Sequence, residues 1–300
     1  MEDKQSGNFD YNTAFTRTLG WVTPPERQRL RDTRIAIAGL GGVGGVHLLT
    51  LARLGIGRFH LADPDVFELH NMNRQAGAYL DHLGQPKVEI MTKMALGINP
   101  ELDIRRFPQG VHADNLDAFL DGVDVYVDGL DFFVFDTRRR VFAACRERGI
   151  PAVTVAPLGM GAALLNFLPD GMSFDDYFQF EDGLSVHELS LRFMVGLAPA
   201  MLQMRYLADP GQVDLEARRG PSTPMACDLC AGIAATETLK LVLRRGRVRG
   251  APHGLHFDAY LGRLARTWRP GGNANPLQKL LLSIGRRRLA TPAKTVNTQP

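Results

Sequence analysis

Arg34-Ile-Ala-Ile-Ala38-Gly39-Leu-Gly41-Gly42-Val-Gly44 is the stretch that decides the fold. A short apolar, partly β-branched run that ends in glycines reads as a buried parallel strand. Gly42 to Leu54 follows and is apolar nearly all round (Val43, Val46, Leu48, Leu49, Leu51, Ala52, Leu54), as in a crossover helix laid on a sheet. Between strand and helix, Gly39, Gly41, Gly42 and Gly44 permit a tight turn and let the backbone approach a phosphate at the positive helix N-terminus. A second strand, Arg58 to Ala62, stops at Asp63, 19 residues beyond Gly44. An acid there holds ribose hydroxyls in this kind of fold. Strand, glycines, helix and acid together predict a nucleotide site without choosing the nucleotide.

Outward from that unit the pattern repeats: helix 86–97, strand 103–107, helix 114–121, strand 123–127, helix 136–148 and strand 152–156. Such alternation predicts an α/β, Rossmann-like, mostly parallel sheet with helices on both faces. Upstream, PPERQRLR at 24–31 reads as a short helix and 1–12 as unstructured. After Pro157 the texture changes. A strand is expected at 159–168, a loop rich in Gly, Asp and aromatics at 169–185, and a helix at 186–207. Residues 208–226 carry Pro, Gly and Arg without period, the mark of a functional or a disordered segment. A helix from Asp228 to Leu243 and two strands, 253–259 and 262–269, predict an antiparallel C-terminal extension of the sheet. A basic amphipathic helix is expected at 277–289, and 290–300 reads as frayed.

Composition narrows the class. Three hundred residues, 45% hydrophobic and 22% charged, form a core, which excludes disorder across the chain. MEDKQSGNFD has no apolar h-region for a secretory signal. The longest mostly apolar run, Val153 to Leu168, is broken by Pro157, glycines and Asn166, short of the ~18 residues of a membrane helix. Three cysteines suit a reducing compartment, so a cytoplasmic protein without a membrane partner is expected. Lys plus Arg number 35 against 32 Asp plus Glu, a net +3 that alone names no nucleic-acid partner. The arginines nevertheless cluster: Arg244, Arg245, Arg247, Arg249; Arg263, Arg266, Arg269; and Arg286 to Arg288.

A dinucleotide oxidoreductase is the rival reading, and charge separates the two. A glycine loop handles a pyrophosphate, whereas a reactive triphosphate needs metal and cations around it. Asn71, Arg74, Gln75 and Lys87 follow Asp63, and Asp131 follows strand 123–127 on the ligand side of the sheet. Two cations, amides and a spare carboxylate suit metal-bound ATP. Lys87, at a helix start, is poorly placed against the dipole unless an anion is bound.

Gly39-Leu-Gly-Gly-Val-Gly44, Asp63-Pro-Asp65, Asn71-Met-Asn-Arg74-Gln75, Gly84-Gln-Pro-Lys87, Asn99-Pro100 and Asp128-Gly-Leu-Asp131 resemble, in order and spacing, the ThiF/MoeB/HesA family of ubiquitin-activating-enzyme-like adenylyltransferases. The resemblance covers roughly residues 11 to 269. It implies a single adenylation domain over 1–269, with core 32–168, substrate loops 169–226 and a closing helix and strands 227–269, followed by a basic tail at 270–300. It further implies that Asp63 binds ribose, that Asn71, Arg74 and Lys87 contact phosphates, and that Asp131 holds Mg²⁺. Arg17, in Phe15-Thr-Arg17, resembles an arginine that such proteins lend to the partner subunit's ATP, which implies a homodimer. Many relatives carry asparagine after the aspartate; here Phe132 stands there.

Relatives with a structural zinc carry two CxxC pairs, whereas this chain has one, Cys227-Asp-Leu-Cys230. With Cys145 the only other thiol, a Cys₄ site within one chain is excluded. His253 and His256 lie three apart in a strand and so do not share a face, which leaves Cys227 and Cys230 weak zinc candidates. Cys230, placed at the start of the helix after 228, is a candidate thiolate that accepts an acyl group as a thioester. The expected function is thus ATP-dependent activation of a carboxylate as an acyl-adenylate, the acceptor being the C-terminus of a ubiquitin-like or sulfur-carrier protein or a peptide. The alternatives are a tRNA-modifying, threonylcarbamoyladenosine-dehydratase-like member, which the arginine clusters would serve, and a catalytically silent partner subunit.

Overall fold

The computed structural model describes residues 9–214 and 217–290. The N-terminal segment forms helix α1 (Tyr11–Ala14), which packs back on its own chain: Tyr11 Oη donates to the Gly55 carbonyl at 2.6 Å, and Phe15 is buried. Helix α2 (Pro24–Asp32) begins where Thr23 and Glu26 cap each other reciprocally, with prolines in the first turn. Strand β1 (Arg34–Ala38) then feeds helix α3 (Gly42–Leu54), strand β2 (Arg58–Ala62), helix α4 (Lys87–Leu96) and strand β3 (Asp103–Phe107). Helix α5 (Leu116–Leu120), strand β4 (Val125–Asp128), helix α6 (Phe135–Glu147) and strand β5 (Ala152–Leu158) complete the parallel half. The chain turns back in strand β6 (Gly161–Phe167) and continues through helices α7 (Phe174–Phe178), α8 (Val186–Leu197) and α9 (Pro224–Leu243). Strands β7 (His253–Asp258) and β8 (Arg263–Trp268) and helix α10 (Pro276–Ala290) follow.

One eight-stranded sheet runs β3-β2-β1-β4-β5-β6-β7-β8, parallel through β5 and antiparallel from β6 onward. The fold is therefore the expected mostly parallel α/β sheet with an antiparallel extension. Its core lies in two layers. Ile35, Ile37, Val127 and Val153 meet α3 and α9 on one side. On the other, Tyr126, Leu165 and Phe167 meet an aromatic cluster that includes Phe142, Phe174, Phe178 and Phe193. The strand order reverses between β1 and β4. Ligands bind at that crevice, outside the carboxyl ends of the strands.

Besides α1, which begins inside the stretch read as unstructured, four elements depart from the sequence reading. Helix α9 starts at Pro224, four residues before the expected Asp228, because Thr223 and Pro224 form the N-cap and first turn. The aromatic loop contains α7, and α8 stops at Leu197 rather than reaching 207. Helix α10, expected within a basic tail, docks on α8: Gly285 lies against Leu191, Leu282 is buried, and Arg286 pairs with Glu188. Residues 291–300 lie outside those described. Among the described residues, no helix is long and apolar enough to cross a membrane.

Candidate nucleotide site

Strand register assembles the site. Ala38 pairs with Ala62 on β2 and with Asp128 on β4, so Gly39, Asp63 and Gly129 emerge together at one sheet edge. The chains approach there as only glycine permits. Gly39 has φ +84°, and a Cβ on it would stand 2.2 Å from the Gly129 carbonyl oxygen; one on Gly44 would stand 1.7 Å from the Gly39 oxygen. These two glycines are thus consumed by packing of backbone on backbone. Gly42 faces a different group, with Arg74 and the Cys227 sulfur beside it, and Gly41 faces the Gln75 amide.

Asp63 is buried and accepts from Leu40 N at 2.6 Å and from Asp65 N at 2.8 Å. Desolvation pushes its pKa up, against the lowering effect of those bonds and of Lys87. Its carboxylate therefore shapes the glycine loop as well as facing the site expected for a ribose. The first turn of α3 has no side-chain cap, which leaves its N–H groups available to an anion. Asn71 is buried, and its Oδ1 accepts from Glu68 N while the Glu68 carboxylate accepts from Asn71 N. That reciprocal cap fixes the turn that carries Arg74, so the Asn71 oxygen is spent on the protein. Arg74 is half-buried and donates from Nη1 to the His70 carbonyl and Asn73 Oδ1. Gln75 Oε1 is buried with no partner among the described residues, an orphaned acceptor beside the glycine loop.

Lys87 opens α4, is buried, and pairs with Asp65 at 3.1 Å. The anion inferred from its awkward dipole position is, in this structure, the chain's own Asp65. Asp131 lies exposed beyond β4. Its Oδ1 accepts from Phe133 N at 3.0 Å, and Oδ2 has no partner among the described residues. Phe132 turns away from this edge to pack on Phe193, ring centroids 5.1 Å apart. Sequence reasoning missed a neighbouring group: Asp128 forms an ion pair with Arg138, their side chains 3% and 2% exposed, and Thr154 Oγ1 also donates to Asp128. The signal was present, since a carboxylate ending an apolar strand needs a countercharge.

A strap over residues 198–214 and 217–223 crosses the same edge. Tyr206 Oη donates to Asp258 at 2.6 Å and accepts from Met160 N at 2.7 Å; Thr223 Oγ1 donates to the Gly159 carbonyl at 2.7 Å, and Asn73 to that of Ser222. Burial and the Asp258 bond push the Tyr206 hydroxyl up to about 12, so it stays protonated.

The cysteines are a correction. Cys230 sits in the second turn of α9 rather than at its start, fully buried among core residues, and burial pushes its thiol well above the usual range. An exposed thiolate is the opposite of that environment. Cys227 is the one beside Gly42 and Arg74, yet it too is buried and raised, chiefly by desolvation. Among the described residues no group of three or more His, Cys, Asp or Glu side chains gathers to hold a metal. His256 is buried while His253 is only partly so, on alternate faces of β7.

Arg17 is exposed in a short turn after α1. Tyr11 and Phe15 anchor that segment at Gly55, the C-cap of α3. The glycine loop is at the other end of the same helix, about 20 Å away at 1.5 Å per residue.

The chain matches the ThiF family over residues 15–279 and belongs to that family. It is 34% identical over 136 residues to the tRNA threonylcarbamoyladenosine dehydratase of Bacillus subtilis (strain 168), 45% of this chain and 52% of that protein. It is 29% identical over 237 residues to Ubiquitin-like modifier-activating enzyme 5 of Drosophila ananassae, 74% of this chain and 54% of that protein. Among solved structures, E. coli MccB with ATP superposes with a TM-score of 0.62 at 17% identity, over 87% of this chain and 71% of that one. The E. coli tRNA N6-threonylcarbamoyladenosine dehydratase with AMP gives 0.57 at 23%, over 78% and 95%. These structural likenesses show the fold alone. The chain spans about half the length of the curated relatives it matches.

Proposed function

We propose that this chain is an ATP-dependent adenylyltransferase that activates a carboxylate, the C-terminus of a ubiquitin-like or sulfur-carrier protein or of a peptide. One observation carries the reading. An uncapped helix start, the Asp63-braced glycine loop, Arg74 and the orphaned Gln75 oxygen converge on the switch-point edge, with the Asp131 carboxylate beside it. A dinucleotide has no use for that spare carboxylate and those cations, whereas a triphosphate does. The acyl carboxylate attacks the α-phosphorus, the bond to pyrophosphate breaks, and an acyl-adenylate forms. Arg74 and Lys87 offset phosphate charge, Lys87 exchanging its Asp65 partner for phosphate. Asp131 suits Mg²⁺, which binds through one or two carboxylates plus substrate phosphates and water. Three free thiols fit a reducing compartment, the cytoplasm. Since Arg17 stands at the far end of α3, it serves a homodimer partner.

Likeness to a tRNA threonylcarbamoyladenosine dehydratase favours a second reading, a tRNA-borne carboxylate. Arg244 and Arg245 follow the last turn of the 20-residue α9, whose first turn is at the site, about 30 Å away.

The test is ATP–pyrophosphate exchange screened with carrier proteins bearing free C-termini, with peptides and with tRNA. Exchange with a protein or peptide is expected, and Asp131→Asn should lower it by roughly a hundredfold while the chain stays folded. Exchange with tRNA alone moves the substrate to the second reading. ATP binding without exchange in any arm would make the chain a silent subunit.

A further inference from the structure

We propose that Arg138 is the positioning residue for Asp131, acting through the backbone of the loop that presents it; the proposal rests on the adenylation reading above. A guanidinium has five N–H donors in a fixed planar fork. All five are used. Nε donates to Asp128 Oδ2 at 2.9 Å; Nη1 donates to the carbonyls of Phe132 at 3.3 Å and Val134 at 3.2 Å; Nη2 donates to those of Leu130 at 2.6 Å and Asp131 at 2.9 Å. Asp128 neutralises the buried charge and is itself held by Thr154 Oγ1, Tyr126 Oη and Leu130 N.

Four carbonyls between 130 and 134 thus converge on one rigid cation. Their positions fix the backbone through Asp131 and aim its carboxylate outward, where Oδ2 has no partner among the described residues. The arrangement also accounts for Phe132. Because the clamp binds its carbonyl, the side chain at 132 is released to pack on Phe193 and Phe135, and the Asp131 backbone is held whatever residue follows it. Lysine could pair with Asp128, but with three donors on a point charge it could not hold four carbonyls and a carboxylate.

The experiment measures the Kd for ATP by calorimetry, with saturating Mg²⁺ and again with EDTA, in wild type, Asp131→Asn and Arg138→Lys. Mg²⁺ should tighten ATP binding in wild type. Asp131→Asn should lose that gain, and Arg138→Lys should lose it too, by about tenfold or more, while its Kd in EDTA stays at the wild-type value. A folded Arg138→Lys that keeps the full Mg²⁺ gain overturns the proposal. So does one that weakens binding equally with and without Mg²⁺, the signature of a merely structural residue. If Arg138→Lys fails to fold, the pair Asp128→Leu with Arg138→Leu removes both buried charges together and leaves none unpaired; the same loss of Mg²⁺ gain is required of it. Wild type that binds no ATP at all sinks the adenylation reading, an outcome distinct from both failures of the clamp.

Discussion

His47 lies fully buried in α3, and among the described residues neither ring nitrogen has a hydrogen-bond partner. Burial drives its pKa down to about 3. The folded protein therefore keeps it neutral, while the unfolded chain takes up a proton below about 6.5. The sign follows: its penalty is absent above that pH and grows on acidification, up to roughly tenfold in the folding equilibrium per pH unit, until the folded pKa is reached. His47→Leu should flatten the fall in urea midpoint between pH 6.5 and 4 relative to wild type; parallel curves would contradict the assignment. At this same scale, much of the candidate site's backbone geometry was legible in the sequence. Gly39, Gly44 and Asp63 are demanded by backbone geometry in a strand–turn–helix, and Arg74, Lys87 and Asp131 by charge at its open end. What escaped were pairings set by side-chain direction. Lys87 meeting Asp65 depends on how one loop returns past α4. Arg138 stands first in Arg138-Arg-Arg140, a run that reads as a solvated helix face, and only the seating of α6 over β4 turns it inward.

Among the elements, the strap over the sheet edge is tied down by the named bonds of Tyr206, Thr223 and Ser222. Tyr206→Phe removes the donor to Asp258 and the acceptor for Met160 N, leaving a fully buried carboxylate oxygen short of a partner. A cost of about 1–3 kcal/mol is expected from that lost bond. The Tm should fall, and amide exchange should quicken at Met160 and Leu202–Arg205. In an assay with a productive acceptor, the KM for the acceptor should rise more than kcat falls. Unchanged exchange rates would show that the strap is held elsewhere. Strands β1, β2, β4 and β5 and helix α3 were readable because each is a mostly apolar run bounded by turn signals. The start of α9 was not, although Thr223-Pro224 is an N-terminal signal, because it sits inside a Pro- and Arg-rich stretch without period. Docking of α10 on α8 hinges on Gly285 meeting Leu191 and Arg286 meeting Glu188, long-range fits that amphipathicity alone does not specify.

The whole molecule poses the question of how many chains make one site. The proposal that Arg17, in the segment anchored at the far end of α3, serves a second copy is tested by mixing two variants. Neither Arg17→Ala nor Asp131→Asn should be active alone. Mixed under conditions of proven subunit exchange, they should recover about a quarter of all sites, since half the dimers of a two-fold assembly are hybrids with one intact site each. A mixture as inactive as its parents would place Arg17 outside the chemistry. Beneath that question lies the choice of nucleotide, on which every assigned role depends, and thermal unfolding with added ligand answers it most directly. ATP with Mg²⁺ at a hundred times its Kd should stabilise the chain by about 2.7 kcal/mol and raise Tm accordingly. NAD⁺ at the same concentration should leave Tm where it was, whereas a rise with NAD⁺ and none with ATP would contradict the account at its centre.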